Sequence, residues 1–309
     1  MTVDTTWLRC PNCFQELEPV GGRTIGCADG HRFDESRHGY VTLLPPKAPR
    51  TIGDDREMLD ARSAFLATGA YRAIAGTVAD LAAIDVRARE DGRSVARVAD
   101  LGCGTGYYSA AVAERLGAAD VLAADRSPDA VRASSRALRS LSPSVDASTG
   151  LSTGAAPTGV VLDLWRPLPL RDGTADVVLD IFAPRNPAEF ARILAAEGRL
   201  IVVVPTGRHL AELRADGSML EIPEGKDDHV VGQFAAASLV VLERRRLEYT
   251  IVVDAASRAH LVGMGPSAHH RAADAGTASG AETSEHVGNE APAGSPITVS
   301  VDVLAFGHR

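Results

Sequence analysis

The 309-residue chain is 45% apolar and 23% charged, which supports a full hydrophobic core and excludes a wholly disordered protein. A formal net charge of −8 removes global attraction to nucleic acid, so any RNA contact has to rest on a local surface and on shape. There is neither an apolar run of about eighteen residues nor a basic leader followed by an apolar stretch, which predicts a cytoplasmic protein without a membrane span.

The stretch LRCPNCFQELEPVGGRTIGCADGHRFD, residues 8–34, holds three of the four cysteines. Cys10 and Cys13 are separated by two residues, and Cys27 and His31 by three. Two such paired turns can converge on one tetrahedral centre, and thiolates with an imidazole suit Zn²⁺. A redox Cys-x-x-Cys with an unrelated third cysteine is the alternative, but no βαβ context surrounds the pair and the intervening segment reads as a zinc-ribbon hairpin. Four protein ligands leave no open position, so the predicted metal is structural and its binding energy substitutes for a core. The module closes on GYVTLLPPKAP, where an apolar run meets three prolines, giving a unit of residues 1–46.

Residues 47–94 read as a helical connector. Met58, Phe65, Leu66, Ile74, Val78 and Leu81 recur at helical spacing, with Gly69 dividing two helices. From residue 95 to 309, strand-like runs (VARVADLG, AADVLAADRS, GVVLDLW, ADVVLDIF, GRLIVVVPTG) alternate with helical stretches. That is the pattern of an α/β fold with a parallel sheet covered on both faces, a Rossmann-like domain. SLVVLERRRLEYTIVVD and ITVSVDVLAFGHR add two strands, the second predicted at an antiparallel edge. The polar, glycine-rich stretch 268–296 between them reads as a flexible insert.

VADLGCGTGYYSAAVAERL places Gly102, Gly104 and Gly106 between a strand and a helix, the position at which open α/β sheets bind ligands. Tyr107 stands where a dinucleotide fingerprint needs its third glycine, which weakens an NAD reading. Asp100 precedes the loop and can face a cationic ligand. Asp125 ends the next strand and can accept from ribose hydroxyls, and Asp163 ends the third and can meet an adenine amino group. Carboxylates in register with successive strands suit S-adenosylmethionine, which is cationic and carries no phosphate. Cys103 reads as a small buried residue.

CPNC…C…GHRFD…GYVTLLP, ARSAFLATGAY, DLGCGTGYY, LPLRDG, FAPRNPAEF, PTGRHLAEL and MGPS together resemble the bacterial 23S ribosomal RNA (guanine-N1)-methyltransferases, in the branch of the tylosin-resistance enzyme. The resemblance covers almost the whole chain. It implies an N-terminal zinc module for RNA recognition and a class I methyltransferase domain. The implied substrate is guanine N1 in a 23S rRNA hairpin near the peptide exit tunnel, with an effect on macrolide sensitivity, and a homodimer would present two zinc modules to RNA. The family's metal ligands fall on Cys10, Cys13, Cys27 and His31, and its cofactor contacts on Tyr71, Gly106, Tyr107 and His209. On the residues alone, Tyr71 reads as core and His209 as a polar helix start.

Guanine N1 carries a proton that must leave, and Asp180 and His209 are the candidate acceptors. A paired guanine has to be flipped, and Phe182-Ala183-Pro184-Arg185-Asn186-Pro187 and Met264-Gly265-Pro266 are candidates for holding it. Arg32, Arg37, His38, Lys47 and Arg50 are candidate RNA contacts. Residues 1–50 carry six basic and six acidic side chains, so recognition would rest on RNA shape. Two other readings stay open: a small-molecule methyltransferase with the zinc module as a stabilising appendage, and a non-catalytic RNA-binding protein that keeps the cofactor fold.

Overall fold

A computed structural model describes residues 3–45, 53–83, 95–117, 119–141, 156–219, 226–265 and 294–309. Lys47, Arg50, Pro266 and nearly all of the 268–296 insert lie outside the described residues. After a 3-10 turn at Thr5–Trp7, strands β1 (Glu18–Gly21), β2 (Thr24–Gly26) and β3 (Arg32–Asp34) form a small antiparallel sheet. Strands this short are stable only when something else fixes their ends.

The main sheet is built from β4 (Tyr40–Thr42), β5 (Ala96–Leu101), β6 (Ala119–Asp125), β7 (Thr158–Val161), β8 (Ala175–Ile181), β9 (Leu194–Pro205), β10 (Leu239–Val253) and β11 (Ser295–His308). Their order is β10-β11-β9-β8-β5-β6-β7-β4. From β9 to β4 every pairing is parallel, and β11 runs antiparallel to both β9 and β10. The chain winds outward from β5 through β6 to β7, then returns to β8 on the other side of β5. The order therefore reverses between β5 and β8, and the loop after β5 opens at that switch point.

The expectation of β11 at the edge is corrected: β10 is the edge strand, and β11 lies between it and β9. Ile297, Val299, Val301, Val303 and Phe306 of β11 are buried, whereas Glu243 to Arg246 of β10 are exposed. Asp302 is the charged residue of β11. It is buried, and Arg244 and Arg246 on the neighbouring strand each reach it at 2.7 Å.

One sheet face is covered by α1 (Arg56–Ala67), α2 (Arg72–Leu81), α3 (Tyr107–Leu116), α4 (Pro128–Ser140), α6 (Ala211–Ala215) and α8 (Ala255–Gly263). Asp55 caps α1, accepting from the Met58 N–H at 2.9 Å, and the predicted apolar positions of α1 and α2 are all buried. The other face is covered by α5 (Pro187–Ile193), α7 (Lys226–Ala236) and the N-terminal segment. Trp7, Leu8, Leu17, Ile25, Val41 and Leu43 share that face's core with sheet residues such as Leu101, Leu122 and Val202, and β4 extends the parallel sheet beside β7. Among the described residues no helix is long and apolar enough to cross a membrane.

Candidate functional site

Cys10, Cys13, Cys27 and His31 present four ligand atoms, all within 4.8 Å of one another. The Cys13 and Cys27 sulfurs are 3.6 Å apart, and His31 Nδ1 lies 3.6 and 3.3 Å from them. A tetrahedral Zn²⁺ with ordinary Zn–S and Zn–N bonds spaces its ligands by about 3.5–3.8 Å, so the residues present fit the ion. Two tight turns build the site: the Phe14 N–H donates to the Cys10 carbonyl at 2.8 Å, and the Gly30 N–H to the Cys27 carbonyl at 3.0 Å. Arg32, a candidate RNA contact, donates to the Cys27 and His31 carbonyls at 3.1 and 2.9 Å and thereby braces the second turn. Arg37 and His38 stand exposed between β3 and β4.

The metal turns are fixed to the main domain by LPLRDG. Leu168 and Leu170 are buried, and Arg171 donates to the Leu8 and Leu17 carbonyls at 3.2 and 3.4 Å. Asp172 pairs with Arg9 at 2.9 Å and with Arg192 at 2.5 Å. On the other flank, the Arg97 guanidinium lies 3.8 Å over the buried Trp7 ring and pairs with Asp120 at 3.2 Å.

At the switch point, Gly102 and Gly106 have φ of +88° and +79°. A Cβ on Gly102 would stand 2.6 Å from the Ala183 Cβ, and one on Gly106 2.7 Å from the Ser134 Cα, so side chains are excluded on steric grounds as well as by conformation. Asp125 shapes the loop: its two oxygens accept from the Gly104 N–H at 3.1 Å and the Ser127 N–H at 2.9 Å. Burial raises its pKa, with those two bonds opposing. Asp100 is buried at the end of β5, and burial, joined by the nearby Asp125 charge, pushes its carboxyl up to about 7. Tyr107 begins α3, half-buried.

Asp163 is placed differently from a free adenine acceptor. One oxygen pairs with Arg126 at 2.5 Å, and the other accepts from the Trp165 N–H at 3.1 Å. The spacing of the third strand shows the carboxylate but not the arginine that engages it.

Tyr71 and His209, 138 residues apart, meet in a buried contact of 3.3 Å between Oη and Nε2. His209 Nδ1 accepts from the Ser300 N–H at 3.2 Å, so in the neutral ring the proton sits on Nε2 and is donated to Tyr71. Burial, with repulsion from Arg214, lowers the His209 pKa to about 4. At neutral pH the ring is therefore uncharged and both nitrogens are engaged, a poor arrangement for taking a proton from substrate. Phe182, at the end of β8, stacks on His209 at 5.9 Å and 20° and approaches Tyr71 at 6.3 Å and Tyr108 at 6.4 Å. It is 41% exposed and has φ +55°, a conformation costly for a bulky residue and found preferentially at functional sites.

The acceptor role expected of Asp180 meets a similar objection. Its side chain is fully buried, and neither oxygen has a hydrogen-bond partner among the described residues. Burial raises its pKa, with the Arg185 charge opposing, and the carboxyl is closed off from solvent. Asp180→Asn is expected to keep methyl transfer within about threefold, measured as single-turnover rate, because a general base would contribute roughly a hundredfold or more. A hundredfold fall would restore Asp180 as the base.

Residues 8–51 match the zinc-ribbon family described as RlmA, N-terminal, and residues 98–198 match the family described as methyltransferase domain. Together with the glycine loop at the switch point and the Cys₃His group, this defines an S-adenosylmethionine-dependent class I methyltransferase with one structural Zn²⁺. The chain is 36% identical over 268 residues to the 23S rRNA (guanine(748)-N(1))-methyltransferase of Streptomyces fradiae, covering 87% of this chain and 88% of that one. It is 39% identical over 278 residues to a Micromonospora griseorubida protein provisionally named a 23S rRNA (guanine-N(1)-)-methyltransferase, covering 85% and 87%. Among solved structures, one described provisionally as a methyltransferase of Bacillus halodurans C-125 aligns with a TM-score of 0.47 at 15% identity, over 76% of this chain and 98% of that one. The chain belongs to the 23S rRNA (guanine-N1)-methyltransferase family.

Proposed function

We propose that this protein methylates N1 of a guanine in a 23S rRNA hairpin near the peptide exit tunnel, at the position equivalent to guanine 748 in the name of the Streptomyces relative, and thereby lowers macrolide sensitivity. Its place of action is the cytoplasm, where ribosomal RNA is assembled. The observation that carries the reading is the docking of the metal turns on Leu168 to Asp172, a few residues after Asp163 at the cofactor cleft. A module that served stability alone would not need that location.

S-adenosylmethionine supplies an electrophilic methyl group when bound. Gly102, Gly104 and Gly106 allow close backbone approach, Asp100 faces the cationic end and Asp125 the ribose. Asp163 meets the adenine side through the lone pairs left by Arg126 and Trp165. Tyr107 and the Tyr71–His209 pair wall the cleft, and His209 acts by holding Tyr71, whose own hydroxyl proton is left to donate into the cleft. Most of the acceleration comes from alignment of the guanine with the methyl group, worth up to roughly 7–11 kcal/mol in favourable cases. Because both His209 nitrogens are engaged and Asp180 is closed off from solvent, the N1 proton leaves to water beside the exposed Phe182.

Phe182 is the platform on which the flipped guanine stacks. Phe182→Ala is expected to reduce kcat/KM for RNA by roughly 5- to 100-fold, as loss of one base–aromatic stack does, while cofactor affinity changes little. Equal kcat/KM in the variant would remove Phe182 from the substrate site. The reading as a whole is tested by incubating the zinc-loaded enzyme and labelled S-adenosylmethionine with 23S rRNA or with a panel of small metabolites. Label confined to metabolites would establish the small-molecule alternative, and tight cofactor binding without any transfer the non-catalytic one.

A further inference from the structure

The backbone N–H of Trp165 bonds Asp163, but its indole has no part in the cofactor cleft. It is 73% exposed, whereas Trp7, the chain's other tryptophan, is fully buried. An exposed indole offers a large, rigid, flat face with a polar edge, the kind of side chain enriched where a surface meets a partner.

The backbone beneath it is held firmly. The Trp165 N–H donates to Asp163 at 3.1 Å, the Arg166 N–H donates to the Asp163 carbonyl at 3.1 Å, and Asn186 Nδ2 donates to the carbonyls of both Leu164 and Arg166 at 3.0 and 3.1 Å. The side chain therefore projects from a fixed turn. Next to it, Arg166 lies 3.8 Å from an Asp163 carboxylate that Arg126 already engages at 2.5 Å, and the Arg166 side chain is 48% exposed. A flat apolar surface beside a half-exposed guanidinium is what a nucleotide requires: one stacks the base, the other meets the phosphate.

Position in the chain supports the same occupant. Trp165 sits between Asp163, at the cofactor cleft, and Leu168 to Asp172, which dock the metal turns. The same short segment thus links the cleft carboxylate to the residues that hold the metal turns.

We infer that Trp165 and Arg166 form a second nucleotide-binding site, in which a base flanking the target guanine stacks on the indole and its phosphate pairs with Arg166. The inference rests on the RNA-substrate reading above. The site fixes the register of the strand, so that one guanine of the loop reaches Phe182 and the next does not.

Tryptophan fluorescence isolates the site, since Trp7 is shielded. Titration of the zinc-loaded protein with a 23S hairpin transcript that carries the equivalent of guanine 748 is expected to quench the emission, and Trp165→Phe is expected to abolish that quench. Trp165→Ala is expected to weaken RNA binding about tenfold and to raise KM for RNA correspondingly. Trp165→Phe, which keeps a ring, is expected to recover most of the affinity. Because the side chain is exposed, the variants should melt at the wild-type temperature. Two results would overturn the inference alone: methyl transfer to RNA with unchanged RNA affinity in Trp165→Ala, or a quench of equal size produced by S-adenosylmethionine without RNA, which would put the indole on the cofactor. Absence of any transfer to RNA by the wild-type protein would overturn the proposed function, and this site with it.

Discussion

Cys10→Ser is expected to release the zinc and to reduce RNA methylation at least a hundredfold while cofactor affinity stays within about threefold, because a structural site contributes on the order of 10–16 kcal/mol to the segment it closes. Cys10 is fully buried, and the strands that the metal ties together are three or four residues long. Leu17 and Ile25 still pack on the main core without the ion, but among the described residues the bonds that tie the Cys10–Cys13 turn to the Cys27–His31 turn are those to the metal. The anchors on either side do not depend on it: Trp7 packs beneath Arg97, and β4 is paired with β7 in the main sheet. The loss should therefore be local, leaving the glycine loop and α3 intact. Zinc content by mass spectrometry, cofactor binding by calorimetry and transfer to 23S rRNA, measured on one preparation, check all three parts. Zinc-free protein that methylates RNA at the wild-type rate would mean that the module does not position the substrate.

The second large effect concerns Asp100. Burial raises its carboxyl to about 7 in the folded protein without cofactor, against roughly 3.9 for an unperturbed aspartate. A raised pKa means that the folded state binds the proton more tightly than the unfolded one. The resulting contribution to stability is thus fully present below about pH 4 and is lost as pH rises through about 7. A cationic ligand reverses the preference, since it favours the carboxylate, and cofactor binding should expel the proton. Affinity for S-adenosylmethionine is therefore expected to rise with pH toward a limit of about tenfold per unit and to level off above pH 7. Calorimetry at pH 6 in two buffers of different ionisation enthalpy should record close to one proton released. Asp100→Asn should flatten the profile and weaken binding roughly 10- to 100-fold, the worth of a hydrogen bond to a charged group. An unchanged pH profile in the variant would show that another group titrates.

Much of this arrangement was legible in the residue order because its parts are local. The metal ligands fall within 22 residues, and their spacing alone states a tetrahedral sulfur–nitrogen site. The loop from Gly102 to Gly106 follows an apolar strand directly, and the acids ending β5, β6 and the run after β7 follow the periodicity of the sheet. What was not legible depends on contacts between distant segments. His209 bonds Tyr71 and Ser300 across 138 and 91 residues, and no pattern in the chain announces that the histidine's nitrogens are both occupied. Asp180 reads as a candidate acceptor from its residue type in the run VVLDIFAPRN, which does not show that its side chain is fully buried. The place of β11 inside the sheet likewise depends on a distant partner, since Arg244 and Arg246 of β10 are what compensate its buried Asp302. Phe182 was visible as part of a candidate base-holding segment, but its left-handed backbone and its stack on His209 arise from packing alone.

In the proposed reaction a zinc-braced module delivers one guanine of 23S rRNA to the cleft at the end of β5 for transfer to N1. Full-length 23S rRNA methylated in vitro, digested to nucleosides and mapped by primer extension, tests it most directly, because a methyl group on N1 blocks Watson–Crick pairing and stops the polymerase. The expected result is N1-methylguanosine as the sole labelled nucleoside and one new stop, in the hairpin that carries the equivalent of guanine 748. Label on another atom or base, or stops scattered along the RNA, would contradict it.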